Sequence, residues 1–215
     1  MTQKTIRKRL KHSLNQDDWL SAGREILIEK GINALTLRGL SEKLSVTTGA
    51  FYWQFKKLND LHDAIRLDWI NRNTTPFTRV FESNNLSAQE RYIAYVNVLI
   101  LEQQFDPHYD NAIREWSHSS KKTAEVLFEV DRIRIEQLTR MFEEFGYDER
   151  TALIRARVTY FHQSGYISMG IVQTIEQRLC NVSHYAIVLT GHDVFKGETS
   201  PDKVRAILDN VAKKV

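Results

Sequence analysis

Residues that end helices are scarce in this chain, which has three prolines and nine glycines among 215 residues. A sheet protein needs a turn every few residues and draws on these two residues to make it, so the scarcity selects long helices. The periodicity agrees. No stretch alternates apolar and polar residues long enough to build several strands, and apolar residues recur at helical spacing along most of the chain. The expected fold class is all-α. Helices are predicted over about 17–30, 37–44, 48–55 and from 58 through Trp69, then over about 77–83, 87–104, 109–120, 122–145, 148–171, 176–190 and 201–213. Thr74-Thr75-Pro76 interrupts the series, because the residue before a proline resists the helical region. It divides the chain into an expected N-terminal domain over 1–72 and a second over 73–215.

The composition, 42% hydrophobic and 27% charged, predicts a packed core. Charge is unevenly placed. Residues 1–72 hold 13 Lys/Arg and 8 Asp/Glu, a balance of +5, whereas the rest carries −2. Five of the first eleven residues are basic (Lys4, Arg7, Lys8, Arg9, Lys11), which reads as an arm for a polyanion. The single cysteine, Cys180, excludes an internal disulfide and a cysteine zinc site, and suits a reducing cytoplasm. The basic start, Met1 to His12, has no apolar run behind it and does not read as a signal peptide. The uncharged stretch Val158 to Ile175 is broken by His162, Gln163, Ser164, Ser168 and Gln173, so no membrane association is expected.

The informative segment is 36–61, TLRGLSEKLSVTTGAFYWQFKKLNDL. Before it, Asp17 or Asp18 can cap a first helix, and Gly31 stops that helix. Thr36 caps a second helix whose inner face is Leu37, Leu40, Ser41 and Leu44. Ser45-Val46 makes a tight break, and a short third helix follows with Phe51 and Phe55 inward. Tyr52 and Trp53 must then face outward, because helical neighbours diverge by about 100°. Short helix, break, short helix is the helix-turn-helix arrangement, whose second helix must be slim to enter a major groove. Thr47, Thr48, Gly49 and Ala50 are slim. Tyr52, Lys56 and Lys57 offer the hydroxyl and ammonium groups that phosphate contacts need. Arg38 can reach the duplex from the preceding helix.

Over about residues 17–66 the chain resembles the tetracycline-repressor (TetR) family of regulators. The resemblance lies in Val46-Thr47-Thr48-Gly49-Ala50-Phe51-Tyr52-Trp53-Gln54-Phe55-Lys56, with Leu61 on the next helix and Gly31 and Thr36 upstream. Two positions depart from the family pattern: Ser45 stands where glycine is usual, and Lys57 where a small polar cap is usual. The resemblance implies that Thr47, Tyr52 and Lys56 touch phosphates, and that Arg38, Thr48, Gly49, Ala50 and Trp53 face bases. It implies a homodimer on a near-palindromic duplex operator, and repression relieved when an unknown small-molecule effector binds the second domain.

Polar residues amid apolar material are the pocket candidates there: Arg114, His118, His162 and Gln163, with Phe105, Trp116 and Phe128 as ring walls. Asp106, His108, Asp110 and His118 match no metal-ligand spacing, so neither metal nor cofactor is expected. Small residues that let helices approach closely mark the expected dimer interface. They are Ser164, Gly165 and Ser168 in one helix, and Leu179, Val182, Ser183, Ala186 and Ile187 lie in the next. No nucleophile elbow, Walker loop, dinucleotide fingerprint or zinc helix motif is present. A helical enzyme and a protein-interaction module with a basic head are the rival classes; salt-dependent, sequence-selective duplex binding separates them from a regulator.

Overall fold

A computed structural model describes residues 14–101 and 105–215. The described residues form helices and turns, with no strand among them, as the all-α expectation required. The order is α1 (Gln16–Lys30), a 3-10 turn (Ile32–Ala34), α2 (Leu37–Lys43), a 3-10 segment (Thr48–Trp53), α3 (Leu58–Asn73), α4 (Thr75–Glu82) and α5 (Ala88–Leu101). Then come α6 (Pro107–Ser117), α7 (Lys121–Glu144), α8 (Glu149–Ser168), α9 (Ile175–Thr190) and α10 (Pro201–Ala212). The basic residues Lys4 to Lys11 lie outside the described residues. Two compact units result. One holds the residues up to Asn71 together with His108–Leu127, and the other holds Arg72–Pro107 and Phe128–Val215.

In the first unit, α1 begins at a capping box. The Asn15 side chain accepts from the Asp18 N–H, and the Asp18 carboxylate accepts from the Asn15 N–H at 2.8 Å. The cap is therefore Asn15, and Asp18 supplies its reciprocal partner three residues on. Gly31 (φ +74°) ends the helix, donating its N–H to Leu27 O at 3.0 Å. The core gathers Trp19, Ile26 and Leu27 of α1, Leu40 of α2, Phe51 and Phe55, and Leu61 and Ile65 of α3, all buried. Trp19 meets Phe51 edge-on at 5.3 Å, and Phe51 stacks on Phe55 at 5.4 Å. At Gly23 an added Cβ would lie 2.9 Å from Ile65 Cδ1, so the missing side chain lets α1 approach α3.

The rest of the first unit comes from α6 and the start of α7. Tyr109 donates its hydroxyl to Ile65 O at 2.8 Å. The buried Arg66 guanidinium lies 4.7 Å over the Trp116 ring and donates to Thr123 Oγ1 at 3.0 Å. Arg66 also pairs with the Asp63 carboxylate, and carboxylate, ring and hydroxyl together compensate a charge withdrawn from water.

The second unit is a helical cluster whose core includes Tyr92, Leu138, Phe142, Ala152, Ala156, Leu179, Ala186, Phe195 and Leu208. The alanines of α8 and α9 are fully buried, which allows close helix approach. Arg91 serves the end of α4: its guanidinium donates to the carbonyls of Val80 and Ser83, both at 2.9 Å, which a helix C-terminus leaves unpaired. Asp148 caps α8, accepting from the N–H groups of Arg150 and Thr151 at 3.1 Å. Thr174 and Gln177 form a capping box on α9, and Gly191, left-handed at φ +74°, closes it.

Candidate nucleic-acid interface

Thr36 caps α2 as predicted, its hydroxyl accepting from the Gly39 N–H at 3.0 Å. Gly39 is required by packing, since a Cβ there would lie 2.6 Å from the Ala34 carbonyl oxygen. The chain leaves α2 through Ser45, which is left-handed at φ +53°. A non-glycine residue pays roughly 1 kcal/mol there, and the Val46 N–H donating to Ser41 O at 2.9 Å holds the turn closed.

The next element differs from the predicted α-helix over 48–55. It is a 3-10 segment ending at Trp53. Its bonds span three residues: Ala50 N–H to Thr47 O and Gln54 N–H to Phe51 O, both 2.9 Å. Gln54 then anchors it to the start of α1 by donating Nε2–H to Leu14 O at 2.8 Å. Phe51 and Phe55 point into the core, and Tyr52 (58% exposed) and Trp53 (80%) point out.

Of the ten predicted contact residues, Thr36, Arg38, Thr47, Thr48, Gly49, Tyr52, Trp53, Lys56 and Lys57 are exposed. Ala50 is the exception. It is buried, so it has no side-chain surface to offer a base. Gly49 is informative for the opposite reason. Its backbone is not left-handed, and a Cβ would meet only Thr47 Oγ1 at 3.9 Å. Nothing within the first unit demands glycine at this position.

The charged groups are available. Arg38 Nε donates to Glu42 at 2.8 Å, which raises the guanidinium above its ordinary range, and both side chains stand largely in solvent. Such an exposed pair is cheap to exchange for another anion. Lys57 is more engaged: its N–H donates to the Asp60 carboxylate at 3.2 Å, the half of a capping box that the third residue of a helix supplies.

The predicted effector residues fall in several places. His162 and Gln163 line a cavity of about 70 Å³ in the second unit, walled by α5, α8 and α9. Phe105 is a core residue set edge-on to Phe77 at 5.4 Å, and Phe128 is 69% exposed. Arg114, Trp116 and His118 belong to the first unit. There Arg114 donates to Asp110 at 3.2 Å, Trp116 is buried beneath Arg66, and His118 is exposed. Tyr92, Tyr95, Thr159, Tyr166, Arg178 and Tyr185 also line the cavity and were not predicted. The spacing of Thr159, His162 and Tyr166 on one face of α8 was the signal available for finding them.

The predicted interface residues also divide. Leu179, Val182, Ser183 and Ala186 are buried within their own chain. α9 turns that face inward and presents Ile187 (44% exposed) and Val188 (75%) instead. Ser164 and Gly165 are half-buried and Ser168 is exposed. Among the described residues no group of three His, Cys, Asp or Glu is placed to hold a metal ion, and no helix is long and apolar enough to cross a membrane.

Residues 20–65 match the family model of the bacterial regulatory proteins, tetR family. Over 60 residues the chain is 35% identical to the class D tetracycline repressor protein of Escherichia coli, and equally to the class H protein of Photobacterium damsela subsp. piscicida. The matched segment is 28% of this chain and 28% of each relative. The crystal structure of Mycobacterium smegmatis BioQ, 20% identical, overlays 94% of this chain and 100% of its own with a TM-score of 0.38. The capped α2, the Ser45 turn and the Thr48–Trp53 segment with its buried Phe51 all lie inside the matched residues, and in that segment the chain is similar to the tetR family of bacterial regulatory proteins.

Proposed function

We propose that the protein is a DNA-binding transcriptional regulator, a repressor by analogy with the tetracycline repressor proteins it resembles, acting in the cytoplasm as a homodimer on a near-palindromic operator. The observation that carries this reading is Gly49: an exposed glycine whose Cβ would meet only Thr47 Oγ1, at an ordinary 3.9 Å, next to Thr48 and followed by Tyr52, Trp53 and Lys56. A backbone stripped of side-chain bulk and bordered by phosphate-binding groups suits close approach to a duplex groove.

Thr47, Tyr52 and Lys56 are assigned to phosphates. Thr48, Trp53 and Arg38 are assigned to base edges, with Thr36 and Lys57 beside them. The proposed domain plan is a head over 1–72 and an effector-binding and dimerisation domain over 73–215, with 108–127 sharing the compact unit of the head. A small molecule bound in the second domain releases the operator if it binds the non-operator state more tightly, and the difference in affinity sets the size of the response.

Anisotropy titrations against a footprinted operator and a scrambled duplex test the assignment. Tyr52→Ala and Lys56→Ala weaken both duplexes, and Lys56→Ala lowers the salt slope by about one ion. Thr48→Ala and Trp53→Ala change which duplex is preferred. Unaltered binding in all four variants rejects the assigned face.

A further inference from the structure

The cavity walled by α5, α8 and α9 is lined mainly by rings and aliphatic groups, among them Tyr92, Leu99 and Val182. Two of its polar groups have no partner. Thr159 is 2% exposed and its Oγ1 makes no hydrogen bond; the buried His162 Nε2 makes none either. They stand three residues apart on α8, so they share a helix face. Buried polar atoms are nearly always paired, and an unpaired pair on a cavity wall points to a group supplied from outside the chain. Other polar groups on the wall are already engaged: Tyr166 donates its hydroxyl to Gln173 Oε1, and Arg178 donates to Leu99 O at 2.7 Å.

The chemistry of the missing group follows. Among the described residues no carboxylate lines the cavity, so a cation finds no countercharge. Burial lowers the His162 imidazole below its ordinary range, so it meets a ligand uncharged, and the positive charge on the wall is the Arg178 guanidinium, held at Leu99 O at 2.7 Å. A neutral imidazole nitrogen and a threonine hydroxyl together suit a group that both donates and accepts, which is a hydroxyl. The surroundings suit a flat ring, because His162 lies 4.6 Å from Tyr185 and 5.9 Å from Tyr166, centroid to centroid. The volume, about 70 Å³, is under half of the ~150 Å³ that admits benzene, so a single ring fits only if the wall opens. Tyr185, 38% exposed on that wall, is the ring that would have to move aside.

We propose that this cavity binds a neutral single-ring aromatic alcohol, a phenol, whose hydroxyl bridges Thr159 Oγ1 and His162 Nε2. Its role as effector rests on the regulator reading; the binding itself does not.

Calorimetric titration of the full chain without DNA, using phenol, toluene, benzoate and benzylamine, is the test. Phenol binds at least about tenfold more tightly than each of the other three. Thr159→Val and His162→Phe each lower phenol affinity about tenfold and leave toluene affinity unchanged. Equal affinity for toluene, or preference for benzoate or benzylamine, overturns the proposal with the unaltered protein alone. So does unchanged phenol affinity in both variants, which would mean that water satisfies the two groups. Operator binding is followed separately by anisotropy. Lost phenol selectivity with operator binding intact removes only the ligand assignment, and phenol selectivity without operator binding removes only the regulator reading.

Discussion

The indole N–H of Trp69 donates to Oδ1 of Asp110 at 3.1 Å, joining α3 to α6 across 41 residues of sequence. Both residues are buried, and the second carboxylate oxygen accepts from Arg114 Nε at 3.2 Å. The carboxylate is thus compensated on both sides, and the indole has its acceptor. Asp110→Ala removes that acceptor from a buried N–H. It is expected to cost about 2–3 kcal/mol, whereas Asp110→Asn, which keeps an acceptor oxygen, costs about 1. The urea midpoint followed by tryptophan fluorescence checks this. Equal midpoints for the two variants would show that the hydrogen bond contributes little.

Two glycines ten residues apart separate folding from binding. A Cβ at Gly39 meets the Ala34 carbonyl at 2.6 Å, a backbone atom that cannot rotate away, so Gly39→Ala lowers stability by about 2 kcal/mol. A Cβ at Gly49 meets only Thr47 Oγ1 at 3.9 Å. Gly49→Ala leaves stability within about 0.5 kcal/mol of the parent and weakens operator binding tenfold or more. Thermal melts paired with anisotropy titrations measure both, and normal operator affinity in Gly49→Ala would place the duplex elsewhere.

Local punctuation was legible in the sequence. Gly31, Thr36 and the inward pair Phe51 and Phe55 could be read because each follows from chemistry within a few residues. Ala50 was misplaced because a small residue fits a slim exposed turn and a buried one equally well, and no residue in the segment announces its 3-10 winding. Long-range partnership was illegible. Asp110 sits near Asp106, His108 and His118, which invited a metal reading, and its partner Trp69 lies 41 residues away. The inward set Leu179, Val182, Ser183 and Ala186 shows a further limit. Periodicity says which residues share a face, but it cannot say whether that face meets the same chain or another.

Burial sets a pH dependence. His62 and His162 both titrate below the ordinary imidazole value of 6.5, since burial penalises the cation; at His62 the nearby Arg66 charge adds to it. The unfolded chain therefore binds protons in a range where the folded chain does not, and stability rises with pH across that range. The contribution is fully present above 6.5 and is lost as pH falls through the lowered folded values. Melting temperature should be flat between about pH 7 and 8 and decline below about 6.5, with a shallower decline in His162→Gln. A melting temperature that climbs on acidification over this range would contradict the assignment.

The outward side of α8 carries Ile154 and Val158, each 51% exposed, and Phe161, 59% exposed, at helical spacing. On α9, Ile187 and Val188 are exposed beside them in sequence pattern. Apolar side chains repeated on one face of α8, with two more exposed on α9, are unusual for a surface that meets only water, and they suit the four-helix contact of the proposed homodimer. A two-fold contact would place the same stripe of both copies together, so one carboxylate per chain enters the interface twice. Phe161→Glu and Val188→Glu should each weaken self-association a hundredfold or more. In light scattering after size exclusion, the mass should fall toward the 25.1 kDa of a single chain. The same variants should bind a single half-site as the parent does but lose the gain from a full operator, because two linked heads bind more tightly than two separate ones. A mass unchanged in both variants would locate the dimer contact on another face.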